Sequence, residues 1–208
     1  MSDSLRDEEV PQAILSSELT FEGIVWNVRR ERFVYGDTEI TREFIAHPGA
    51  VAVLALDADD RVLLIKQYRH PIRARDWELP AGLLDMDGES PLVGAQRELA
   101  EEADLQATHW LLLNEFFTSP GGSNEAVRVY LARGVSATTD AFDRYDEEAD
   151  IEVRWVALDE VVEAVLERRI RNPILCLAAL TAHAARASGF EQLGVAEQPW
   201  PWHPKNRD

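Results

Sequence analysis

A chain of 208 residues has room for one sizeable domain with a small extension, and 46% hydrophobic residues is ordinary for a globular protein. The net charge of −17, from 38 acidic against 21 basic residues, sets up a field that repels nucleic acid, and no basic stripe offsets it. No apolar run nears the roughly 20 residues of a membrane span, the polar Met1–Glu9 start lacks a secretory h-region, and Cys176 is the single cysteine, so no intrachain disulfide forms. The expected compartment is the cytoplasm, with neither nucleic acid nor membrane as a partner.

In chain order, residues 1–17 read as a flexible acidic leader. Residues 18–47 form a β region with segments at Phe21–Val28, Arg32–Tyr35 and Thr38–Ala46 and a turn at Gly36-Asp37. It holds few large apolar residues per strand, so it is expected to pack on the main domain or on another subunit. The main domain, 48–190, opens with apolar runs at Val51–Leu56 and Val62–Tyr68, joined as a hairpin by Asp57-Ala58-Asp59-Asp60. Trp77–Leu79 is extended and stopped by Pro80. Ser90-Pro91 supplies an N-cap and a first-turn proline for a helix running to about Ala103. Strands follow at Trp110–Phe117, Val127–Ala132 and Ile151–Val156, then helices at Asp159–Arg169 and Pro173–Ala187; residues 191–208 are a C-terminal tail. This order predicts an α+β fold, an α/β/α sandwich with a mixed sheet flanked by helices and a small N-terminal antiparallel sheet.

The helix carries the chemistry. Leu92, Ala95, Leu99 and Ala103 recur at spacings of three and four and make one apolar stripe, while Glu98, Glu101 and Glu102 share another face. Like charges at that spacing oppose one another unless a cation sits between them. A solvated acidic face is the plain alternative; an all-oxygen cluster is otherwise suited to Mg²⁺ or Mn²⁺. Arg97 adjoins the group and could orient one carboxylate. The preceding Trp77-Glu78-Leu79-Pro80-Ala81-Gly82 gives a strand, a stop and a glycine that permits close backbone approach, and Glu89 lies nine residues before Glu98.

Gly82–Leu105 resembles the Nudix box, with Glu89, Arg97, Glu98, Leu99, Glu101, Glu102 and Leu105 matching its pattern, and the resemblance extends from Pro48 to Ala157. Two departures stand out. Six residues rather than five separate Gly82 from Glu89, and the terminal glycine of the box is Asp104, one of the few other residues that tolerates a left-handed helix stop. The resemblance implies two to three Mg²⁺ or Mn²⁺ ions per active site, held by Glu98, Glu102, the Ala81 carbonyl and Glu101, with Glu102 counted among the catalytic groups.

Downstream, Ser119-Pro120-Gly121-Gly122-Ser123-Asn124-Glu125 is similar to the loop of ADP-ribose pyrophosphatases, its proline 15 residues after Leu105. A ligand-free Pro-Gly turn is the bland reading of the same residues. The likeness implies that Ser119, Gly121 and Glu125 contact the terminal ribose, from their own subunit or its neighbour. It further implies that Arg69 holds the diphosphate, that Leu83 lines the substrate site, and that Arg42 serves the adenosine end across a homodimer interface. Trp26 is a weaker adenine-stacking candidate. The base that deprotonates water is expected in Asp146-Glu147-Glu148-Ala149-Asp150, with Glu147 first and Glu148 second. The implied reaction is hydrolysis of ADP-ribose to AMP and ribose 5-phosphate; the alternatives are another nucleoside diphosphate derivative (nucleotide sugar, diadenosine polyphosphate, flavin dinucleotide) or a non-catalytic sensor. Gln198-Pro199-Trp200-Pro201-Trp202 is similar to a motif of NADH-cleaving relatives but lies over 90 residues too late, so it is read as an ordered or flexible tail and not as a nicotinamide reader.

Overall fold

The computed structural model describes residues 5–139, 142 and 150–206. They form two compact units: residues 5–47 with 119–124, and residues 48–118 with the described residues from 125 to 206.

The N-terminal unit is an antiparallel sheet of β1 (Ile14–Phe21), β2 (Asn27–Tyr35) and β3 (Thr38–Ala46), with β2 central. Tyr35 pairs with Thr38 around the Gly36-Asp37 turn, where Gly36 has φ +58°. Cross-strand charges tie the strands: Arg30 reaches Glu18 at 3.1 Å and Glu43 at 2.6 Å. Two details differ from the sequence reading. β1 begins inside the stretch read as leader, because its polar residues pair with β2; Arg29, for example, donates to Ser17 Oγ at 2.8 Å. Phe21–Val28 is not one strand but the end of β1, a turn and the start of β2. The turn closes so tightly that a Cβ on Gly23 would sit 2.1 Å from the Trp26 carbonyl oxygen. Residues 119–124 join this unit through the Ile45 N–H on the Gly122 carbonyl and the His47 N–H on Asn124 Oδ1.

The second unit is built on β4 (Ala50–Ala55), whose six residues are all buried. Its alternate side chains enter two cores: Ala50, Ala52 and Leu54 one, Val51, Val53 and Ala55 the other. That is what period two dictates for a strand covered on both faces. A five-stranded mixed sheet runs β11 (Gly194–Val195), β8 (Leu105–Phe117), β9 (Ala126–Ala137), β4, β7 (Ala81–Leu83), with β4 and β9 parallel. A second sheet has β5 (Arg61–Arg69) between β10 (Glu152–Ala157) and β6 (Ala74–Glu78). Helix α1 (Pro91–Ala103) covers one face with Ala95 and Leu99, while α2 (Leu158–Leu166) and α3 (Pro173–Arg186) cover the other. The α/β/α sandwich expected from the sequence is present.

The expected β4–β5 hairpin is reduced to one bridge, Leu56 to Val62, after which the strands enter different sheets because β9 and β7 occupy both edges of β4. Asp57 makes the turn, its Oδ1 accepting the N–H groups of Asp59 and Arg61 at 2.9 and 2.8 Å. Of the ordered and flexible forms open to the C-terminal tail, the structure has the ordered one: β11 pairs with β8, and Ala196, Trp200 and Pro204 are buried. Among the described residues, no helix is long and apolar enough to cross a membrane.

Leu99 is fully buried where α1 meets the sheet. Leu99→Ala is expected to lower unfolding free energy by about 2–5 kcal/mol in urea denaturation; a loss under about 1 kcal/mol would contradict this packing.

Candidate active site

The sequence fixes both ends of α1 locally. Ser90 Oγ accepts the Val93 N–H, Pro91 takes the first turn where its missing donor is harmless, and Asp104 stops the helix at φ +53° with its N–H on the Ala100 carbonyl. Aspartate therefore does adopt the left-handed stop that the box assigns to glycine. Its side chain adds something glycine lacks, since Oδ1 accepts the Phe142 N–H at 2.8 Å.

Between these ends α1 packs beside β7. Glu102 is buried, and its Oε2 accepts the Ala81 N–H at 2.9 Å. Glu98 lies directly on Gly82: a Cβ there would stand 1.9 Å from Glu98 Oε1 and 2.1 Å from its Cδ. Any side chain at 82 would push the Glu98 carboxylate aside, which is a physical reason for glycine at the box's first position. Arg97 gathers the rest. Its Nε and Nη2 bond Glu89 at 2.9 and 3.1 Å, and Nη1 bonds Glu98 at 2.5 Å and Glu101 at 2.9 Å. The extra residue before Glu89 is taken up in a loop with Gly88 at φ +78°, and Glu89 still meets Arg97. Hydrogen bonds from Arg97 hold the Glu89 carboxyl below the usual glutamate range against the opposing pull of burial, and the bond to Glu89 leads in raising Arg97 further.

Among the described residues, no three acidic, histidine or cysteine side chains converge at metal-binding distances, the glutamates here engaging Arg97 and the Ala81 N–H. The donors nevertheless fit a hard divalent ion. They are all oxygen, they sit on one helix face, and the side-chain-free backbone at Gly82 leaves Glu98 against β7.

Arg69, at the end of β5, forms a two-pronged bond with Glu78 of β6, Nε to Oε1 at 2.8 Å and Nη2 to Oε2 at 2.7 Å. Glu78 is buried while Arg69 is partly exposed, so the carboxylate fixes a guanidinium that still faces outward. Sequence reasoning missed Glu78 in this role. The available signal was a glutamate in Trp77-Glu78-Leu79-Pro80, immediately before a buried turn. Beside it, burial pushes Asp76 above the usual range, with the Asn172 amide donating to it at 3.2 Å.

Leu83 lies on β7 opposite Ala50. Glu125 accepts a short bond from the Thr118 hydroxyl. Arg42, Ser119 and Gly121 belong to the N-terminal unit: Arg42 is exposed on β3, its Nη1 on the Thr41 carbonyl, and the Ser119 carbonyl closes a turn by accepting the N–H groups of Gly122 and Ser123. Trp26 stacks on His47, ring centres 4.6 Å apart. Glu147 and Glu148 lie outside the described residues.

The glutamate helix lies against a proline-stopped, glycine-bearing strand within an α/β/α sandwich. The NUDIX domain model matches residues 46–176, and the chain belongs to that family. It is 40% identical over 187 residues, 89% of either chain, to an ADP-ribose pyrophosphatase of Mycobacterium tuberculosis. It is 38% identical over 129 residues to an ADP-ribose pyrophosphatase of Bacillus subtilis, covering 62% of this chain and 69% of that one. A solved structure described as an ADP compounds hydrolase shares the fold, with a TM-score of 0.67 at 19% identity over 90% of this chain and 99% of that one.

The Glu89–Arg97 pair has a pH signature. A carboxyl depressed by folding contributes stability that is fully present above the unfolded glutamate pKa, about 4.3, and is lost as pH falls through the folded value. For metal-free protein, the urea midpoint is expected to drop on acidification below about pH 4, and Glu89→Gln should flatten that drop. Parallel curves for the two proteins would refute the linkage.

Proposed function

We propose that this chain hydrolyses the diphosphate of ADP-ribose to AMP and ribose 5-phosphate, using two to three Mg²⁺ or Mn²⁺ ions per site. The observation that carries the reading is the meeting of Glu98 and Glu102 with the Ala81–Gly82 backbone, in a chain 40% identical to an ADP-ribose pyrophosphatase along most of its length. Glu98, Glu102, the Ala81 carbonyl and Glu101 would hold the metal. A divalent ion held by these groups would supply charge neutralisation at the phosphoryl oxygens and a more acidic water.

The chain's own groups supply the rest. Glu78 presents the Arg69 fork, whose geometry suits two oxygens of a diphosphate. Arg97 balances the carboxylates of Glu89, Glu98 and Glu101 and sets their spacing. Glu147 takes the proton from water. Leu83 lines the substrate site, Ser119, Gly121 and Glu125 meet the terminal ribose, and Arg42 serves the adenosine end. The working form is a cytoplasmic homodimer with its sites at the subunit interface. Supporting it, Leu19, Phe21, Ile24 and Val25 of the N-terminal unit are all exposed, an apolar surface that a second copy would cover.

Chromatography of products from ADP-ribose with Mg²⁺ should give AMP and ribose 5-phosphate in equal amounts; faster turnover of a nucleotide sugar, diadenosine polyphosphate or flavin dinucleotide would reassign the substrate. Glu147→Gln should lower kcat by about 10²–10⁴-fold, the range of general base catalysis, while substrate still binds; unchanged turnover removes Glu147 from the role. Gly82→Ala must displace Glu98, so calorimetry should show Mn²⁺ binding weakened by about 10–100-fold, and wild-type affinity would sink the metal assignment.

A further inference from the structure

Strand β6 lies at the edge of its sheet, with β5 on one side only. Its pairing sets Ile65 opposite Glu78, Gln67 opposite Asp76 and Arg69 opposite Ala74. Because side chains alternate, Ala74, Asp76 and Glu78 share one face with Ile65, Gln67 and Arg69. Arg69 starts across from Ala74 yet bonds Glu78, so its side chain runs back along the strands past Asp76. The charges agree with that path. Burial first, and Glu78 after it, push the Asp76 carboxyl above its usual range, while the Asn172 amide and Arg69 pull against them.

We propose that Asp76 is a positioning residue for substrate binding: through Asn172 it fastens β6 to the start of α3, and so fixes where Glu78 presents the Arg69 guanidinium. The inference rests on the reading that Arg69 holds the substrate's diphosphate.

The fastening is two-ended. Asn172 is the N-cap of α3, its Oδ1 accepting the Leu175 N–H at 3.0 Å while its Nδ2 donates to Asp76 Oδ2 at 3.2 Å. The cap bond decides which way the amide faces, so its NH2 group is turned to β6. Behind the cap, α3 is set in the core by Leu175, Ala178 and Ala179, all fully buried. A helix seated that firmly is a fixed post for an edge strand. The positive end of its dipole favours the Asp76 carboxylate in the same place.

The far end of β6 is held separately. The Pro80 carbonyl accepts the Val53 N–H at 2.8 Å, and Ala81 pairs with Ala52, so the turn leading to the Ala81 carbonyl is anchored to β4 and not to α3. Loosening Asp76 therefore shifts Glu78 and Arg69 while Ala81, Glu98 and Glu102 keep their places. Its signature is weakened substrate binding with turnover kept.

The test is steady-state kinetics of the full chain with ADP-ribose and Mg²⁺. Asp76→Leu removes the acceptor, and Asn172→Ser keeps a capping oxygen but is too short to reach Asp76. Both are expected to raise KM by about 3–10-fold, the worth of one modest hydrogen bond, with kcat within about twofold of wild type. Asp76→Asn, whose amide oxygen still accepts from Asn172, is expected to restore KM. In the Arg69→Ala background, where KM is already raised, Asp76→Leu should add nothing. Wild-type KM in either Asp76→Leu or Asn172→Ser overturns the proposal. So does a fall in kcat as large as the rise in KM, a failure of Asp76→Asn to restore KM, or a further rise in the double variant. Absent turnover in the wild-type chain, or an unchanged KM in Arg69→Ala, would remove the underlying reading and this proposal with it.

Discussion

The Glu98 carboxylate occupies the space that a Cβ on residue 82 would need, so the bare backbone at Gly82 is what lets that side chain lie against β7. That contact sets the register of everything beside it. With α1 pinned there, Glu102 one turn on reaches the Ala81 N–H, and Ala95 and Leu99 on the opposite stripe close the core over β4. A helix held by apolar packing alone could slide along its ridges by small amounts. The Glu102 carboxylate on the Ala81 N–H adds a directional tie between helix and strand.

The same closeness creates an electrostatic problem. Glu98, Glu101 and Glu102 share a face, and Glu89 is brought in beside them, in a chain already far on the acidic side. Arg97 answers it from within the helix, bonding three of these carboxylates at once. Bringing in a divalent ion therefore means exchanging one cation's hydrogen bonds for another's charge, not filling a vacuum of charge. Glu78 and Arg69 repeat the arrangement in reverse, with the buried partner acidic and the outward one basic.

Much of this was legible in the residues. The apolar stripe of α1, its Ser90 cap and Asp104 stop, and the alternation of β4 follow from period and capping chemistry, which act over a few residues. What escaped was decided by partners distant in sequence. β1 is polar enough to read as leader, and only its pairing with Arg29 and Arg30 of β2 makes it a strand. The β4–β5 hairpin failed because β9, more than 60 residues on, claims the edge of β4. The C-terminal segment read as tail because nothing local shows that Arg128 will hold its carbonyls. The role of Glu78 was hidden for the same reason, its partner lying nine residues back on the preceding strand.

Asp104 deserves a mechanical reading as well as a conformational one. A glycine can end α1, but it has no side chain with which to grip anything else. Aspartate ends the helix and also grips Phe142, 38 residues later, while its carbonyl accepts the Thr138 N–H at 2.9 Å. The chain leaving β9 is thus moored to the post that terminates the glutamate helix. In the sequence, the acidic run Asp146–Asp150 starts four residues beyond that mooring. A departure from the box that looks like a tolerated blemish ties the final turn of α1 to Thr138 and Phe142, beyond the end of β9.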